Sequence, residues 1–187
     1  TPIRGHAMRD RLWRTTLLCA ALAAGASTAC AQDTAPKYPL SQLGSVSQVI
    51  AGTKLEITYR RPVARGRELF GALVKWNEIW TPSADSAAIL TVSRPVEIQG
   101  QPLAAGSYSI WAVPGPDAWT VMFNSVAHTF HLRYPSGHDV LSVKAAPTQG
   151  AYVETLSFEF PVADAESATL ALHWGTTVVP LSVHAGR

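Results

Sequence analysis

The sequence predicts an all-β chain: an antiparallel β-sandwich, of jelly-roll or immunoglobulin-like two-sheet type, with one short helical turn in a long loop. Two observations lead there. Apolar and polar residues alternate with a period of two over most of the chain from about Val46 to Val183, which puts one set on a core face and the other in solvent. Turn residues punctuate that pattern at short intervals, at Gly52, Gly100-Gln101, Pro114-Gly115-Pro116-Asp117, Gln149-Gly150 and Gly175, as expected of several short strands folded back on one another. No internal repeat, heptad or low-complexity tract interrupts it.

Residues 1–31 are set apart from the fold as an upstream extension plus a signal peptide. Residues 8–14, MRDRLWR, form a basic start, and the run LLCAALAAGA from Leu17 to Ala26 is apolar but too short to span a bilayer. Ala29-Cys30-Ala31 supplies small residues for cleavage near Ala31, so the mature protein is expected to start at Gln32 and to be periplasmic or secreted. Lipoprotein processing at Cys30 is the weaker reading, because Ser27 stands where such signals usually carry Leu.

Cys19 and Cys30, the two cysteines, both fall in that leader. Without them the exported part has no disulfide, no thiolate nucleophile and no Cys-ligated zinc. Residues 1–31 hold four of the 15 basic and one of the 13 acidic side chains, which leaves 11 against 12 from Gln32 onward. A nucleic-acid partner needs clustered Lys and Arg on one face, so none is expected, and the mature chain has no transmembrane segment.

Residues 32–43, QDTAPKYPLSQL, read as a polar, Pro-containing linker, and 44–185 as a single sandwich domain. Val46, Gln48 and Ile50, then Leu55, Ile57 and Tyr59 across the Gly52 turn, read as a hairpin. Arg60 to Ser86 is the least strand-like stretch. Gly66 to Gly71 is its expected helical turn, bounded by glycines with Pro62 and Pro82 nearby. It holds Phe70, Trp76, Ile79 and Trp80, an apolar load that suits a packed loop better than a disordered one.

Strands are expected at 87–92, 96–98, 107–113, 119–124, 140–145, 153–160, 168–174 and 177–183. Trp119 shares its face with Val121 and Phe123, so it belongs in the core. Trp111 lies on the opposite pleat face from Ile110 and is the better candidate for exposure.

Several motifs in this order, Tyr59-Arg60-Arg61-Pro62, Gly66-Arg67-Glu68-Leu69-Phe70-Gly71, Ile79-Trp80, Leu103-Ala104-Ala105-Gly106-Ser107-Tyr108 and His173-Trp174-Gly175, resemble the bacterial exported family known as domain of unknown function 2911. The likeness covers about Val46 to Val183 and implies a secreted or periplasmic all-β protein. One stretch departs from the family pattern: after Trp80 the family usually reads Arg-Thr-Gly-Ala-Asn-Glu, and this chain has Thr81-Pro82-Ser83-Ala84-Asp85-Ser86. If that loop binds an anionic ligand elsewhere in the family, this chain is not expected to share that ligand.

Two constellations carry candidate chemistry. Arg60, Arg61, Arg65 and Arg67 could clamp a carboxylate or phosphate through their planar forks, or pair with Glu56, Glu68 and Glu78 on a solvated rim. His128, His131 and His138, gathered together, could hold zinc and activate a water for hydrolysis, although an offset of three sends His128 and His131 to opposite sides of a strand. No Gly-x-Ser-x-Gly elbow or phosphate-cradling Gly loop occurs. The favoured reading is a non-catalytic binding or interaction module for a small molecule or an envelope protein, without a cofactor. Its candidate ligand-binding residues are Arg61, Arg67, Trp80, Asp85, His128, His131 and Tyr134, and the alternative is a small zinc-dependent hydrolase using the histidines.

Overall fold

A computed structural model of the protein describes residues 38–186. The leader expected at 1–31 lies outside those residues. Among the described residues, ten strands run in the order β1 (Gln42–Ile50), β2 (Thr53–Arg61), β3 (Ala88–Val92), β4 (Val96–Ile98), β5 (Gln101–Leu103), β6 (Gly106–Val113), β7 (Trp119–Asn124), β8 (Asp139–Ala145), β9 (Thr148–Ala163) and β10 (Ser167–His184). They form a six-stranded sheet, β1-β2-β3-β6-β7-β8, and a four-stranded sheet, β5-β4-β10-β9. Neighbouring strands pair antiparallel throughout. Among the described residues no helix is long and apolar enough to cross a membrane.

The inward residues of both sheets share one core, from Leu55, Ile57 and Leu90 through Trp119 and Phe123 to Leu156, Leu170 and Trp174. The period-two pattern dictates this, because β2 buries Thr53, Leu55, Ile57 and Tyr59 and exposes or half-exposes the residues between. Side-chain and bridge contacts join the sheets. Tyr59 of β2 stands edge-on to Phe158 of β9, with ring centroids 4.9 Å apart, and its hydroxyl accepts a hydrogen bond from the Phe158 N–H at 2.9 Å. At the other side, Gln99 donates to the Lys144 carbonyl of β8 at 3.0 Å.

The β1–β2 hairpin turns on Ala51 and Gly52, both at positive φ (45° and 70°), the signature of the two-residue turn whose twist matches its strands. Gln99 and Gly100 repeat that geometry between β4 and β5, one residue earlier than the expected Gly100-Gln101 turn. β1 also begins at Gln42, inside the stretch expected to be linker.

Three expectations are corrected. Gly66 to Gly71 forms hydrogen-bonded turns and no helix. Left-handed backbone at Arg65, Gly66 and Gly71 (φ 52°, 68° and 95°) repeatedly reverses the chain, and no run of helical residues fits between these points. Gly175 is not a hairpin turn but a bulge inside one long strand, with register shifts on both sides of it. The buried set passes from Ala168, Leu170, Leu172 and Trp174 to Val179, Leu181 and Val183, so the inserted residue changes the parity of the core face. Trp111 is 1 % exposed. The segment 125–138 folds over the outer face of the six-stranded sheet and buries it against Ala87, Met122 and Tyr134.

Candidate functional site

The loop between β2 and β3 crosses one end of the sandwich and is tied to both sheets. Backbone bonds link Ala64 to Glu154 and Leu156 to Pro62 on the β9 side. Toward the six-stranded sheet, Trp80 and Ala112 exchange both backbone hydrogen bonds, at 2.8 and 2.7 Å, and the Asn77 N–H donates to the Pro114 carbonyl. Aromatic packing accounts for why this long segment is ordered. Phe70 and Trp80 insert between Trp119 of β7 and Trp174 of β10. Phe70 stands edge-on to both indoles, with centroids 5.0 and 6.2 Å away, whereas Trp80 is edge-on to Trp119 and stacked on Trp174.

The departing segment Thr81 to Ser86 is structural. Thr81 is buried, and its hydroxyl donates to the Ile110 carbonyl at 2.6 Å and accepts the Ala88 N–H at 3.2 Å. The Ser83 hydroxyl accepts the Arg60 N–H at 2.9 Å. Asp85 sits at φ 62°, which turns its carbonyl toward the His131 N–H, 3.3 Å away. The opposing segment is anchored by buried Asn124, whose amide donates to the Pro135 carbonyl and to Asp139 and whose oxygen accepts the Val126 N–H.

A first cleft of about 760 Å³ opens between the two segments and the lead-in to β1. Arg67, Trp80, Asp85 and His131 line it together with Arg65, Leu132 and Trp174. Arg67 spends Nε on the Ala64 carbonyl and Nη2 on the Val63 carbonyl, at 2.8 and 2.6 Å, and neither bond uses Nη1. His131 packs its ring 4.4 Å from that of Phe130, and its Nδ1 is buried without a hydrogen-bond partner. Such an orphaned polar atom costs about 1–3 kcal/mol unless something fills the gap.

Arg61, His128 and Tyr134 are not part of that lining. Arg61 donates to the Leu156 carbonyl, and its side chain runs close over Gly44, where a Cβ would come 2.5 Å from the Arg61 Cδ. His128 is exposed. Tyr134 covers Trp111, with ring centroids 5.2 Å apart, and donates its hydroxyl to Asp139. Its pKa is pushed up to about 12, first by burial and then by that carboxylate. His173, buried in β10, has its ring nitrogens 3.2 Å from Glu159 and 2.8 Å from the Ala151 carbonyl.

The zinc alternative finds no support: among the described residues, no group of three His, Cys, Asp or Glu side chains could hold a metal ion. His128, His131 and His138 are not drawn together. The solvated rim expected for the arginines differs too. Glu56 pairs with Lys54, and the acid beside Arg65 and Arg67 is Glu154 of β9, which accepts the Arg65 N–H at 2.6 Å. The Tyr152 hydroxyl and then that amide hold the Glu154 carboxyl below its ordinary pKa.

A second cleft of about 490 Å³ lies on the far side of the loop, with Arg67 and Trp174 common to both. Trp76, Phe70, Trp119 and Tyr152 form its aromatic walls, and Gln149, Thr176 and Thr177 contribute polar groups. Period-two reading placed Trp119 in the core, but no sequence signal joins it to Tyr152 or Gln149, because only the packing of the β6–β7 turn beside the start of β9 makes them neighbours.

No curated protein and no solved structure matches the chain. A family model described as "Protein of unknown function (DUF2911)" matches residues 41–183. That span runs from the residue before β1 to Val183, the last core residue of β10, and the chain belongs to this family.

Proposed function

We propose that the protein is an exported, non-catalytic binding module that takes a small amphipathic carboxylate in the first cleft. The observation that carries this reading is the convergence of Arg65, Arg67, Trp80 and His131 on one concave surface, where two guanidinium groups face the single carboxylate of Asp85 and leave a positive excess. A guanidinium fork suits a carboxylate. Trp80, Leu73 and Leu132 in the same lining suit an apolar body, the mixture usual in small-molecule sites. Export rests on the basic and apolar leader pattern at 8–26 and on the confinement of both cysteines to that region.

Calorimetry on the full chain with benzoate, phenylacetate and hexanoate tests the ligand class. Saturable binding is expected for at least one, weakened about tenfold by Arg65→Gln and by His131→Ala. Absence of binding by all three, or binding indifferent to both substitutions, removes the reading. Cell fractionation, with the protein found in the periplasm or medium, tests export.

A further inference from the structure

We infer that the second cleft is a separate binding site for an uncharged saccharide ring. Two of its aromatic side chains present accessible surface: Trp76 is 38 % exposed and Tyr152 is 58 % exposed, and they enter from the β2–β3 loop and from β9. Trp76 is held in place although it stands at the surface. Its ring stacks on Phe70 with centroids 6.2 Å apart and planes 30° from parallel, and its Nε1 edge lies where Gly71 has no side chain, since a Cβ there would come within 2.5 Å of it. An indole fixed on both sides and open outward is a preorganised platform, and preorganisation reduces what binding costs.

The remaining lining selects among ligands. Gln149, Thr176 and Thr177 supply donors and acceptors that a purely apolar ligand would strip of water without replacing it. Aromatic walls also suit a quaternary ammonium group, but Arg67 is part of this lining and no acidic side chain is, and Glu154 beside it is already engaged by the Tyr152 hydroxyl and the Arg65 N–H, so a cation finds no carboxylate partner here. Arg67, with Nε and Nη2 already on backbone carbonyls, has no second cation beside it in this lining, unlike the Arg65–Arg67 pair of the first cleft, and is the weaker provision for an anion. Beneath these groups, the fully buried Trp119 gives the cleft an apolar floor. A ligand with an apolar face for the rings and hydroxyl groups for Gln149, Thr176 and Thr177 matches this set. A pyranose ring has both.

Calorimetry and tryptophan fluorescence on the full chain, titrated with cellotriose, maltotriose and chitotriose and separately with choline, test the inference. At least one trisaccharide is expected to bind saturably. Trp76→Ala should then weaken it about tenfold, and Gln149→Ala, which removes a polar lining group, about threefold. His131→Ala, confined to the first cleft, should leave that affinity unchanged, so failure of the carboxylate reading and failure of this one are distinguishable. Binding of none of the three sugars, binding of choline alone, or sugar binding that survives Trp76→Ala overturns the inference.

Discussion

Trp80 of the β2–β3 loop and Trp174 of β10 lie with ring centroids 6.3 Å apart and planes 11° from parallel. This contact makes the loop part of the core at one end of the sandwich, with a cleft on either side of it. The loop is therefore a packed partition between them.

Trp80→Ala should consequently lower global stability by about 3 kcal/mol, the lower end of the range for removing a large buried aromatic, because Trp80 is only half-buried. Urea denaturation measures it. Amide exchange should also accelerate at Trp80 and Ala112, which bond to each other. An unchanged urea midpoint would mean the loop is held by its backbone bonds alone.

Tyr59→Phe isolates the link between the sheets. The ring and its edge-on contact with Phe158 are kept, but the Phe158 N–H loses its acceptor in a buried setting. A cost of about 1–3 kcal/mol is expected. A variant as stable as the parent would show that water reaches this N–H.

Tyr134 should make stability fall at alkaline pH. Its folded pKa of about 12 lies above the ordinary value of 10.0, so the unfolded chain releases this proton first. The contribution is complete below pH 10 and is lost as pH rises toward 12. Tyr134→Phe should flatten the decline of the urea midpoint across that window, and the difference in tyrosinate absorbance between the two proteins should titrate near the upper end. An equal decline in both proteins would place the alkaline sensitivity elsewhere.

The β1–β2 hairpin was legible because alternation and a Gly turn are local signals that agree. Gly175 was legible only as a break. A hairpin turn and a bulge produce the same change of parity in the sequence, and what separates them is whether the chain reverses, which here depends on β9 continuing alongside β10. Trp111 shows the limit of facial periodicity: the pattern assigns a residue to a face but does not state what covers that face, and here 125–138 does. Arg67, Trp80, Asp85 and His131 could be singled out as chemical types. Their meeting in one cleft, and the absence of Arg61, His128 and Tyr134 from it, could not be anticipated.

By itself the sequence determined the strand identity of the chain, the core membership of Trp119 and the family, because these depend on residue order and on a two-residue rhythm set by backbone geometry. Tertiary structure alone decided the two clefts, the indole stack that divides them and the unpartnered nitrogens of His131 and Trp119. The physical reason is separation along the chain: each cleft is built from segments dozens of residues apart, brought together by the packing of two sheets whose strand order no local pattern encodes.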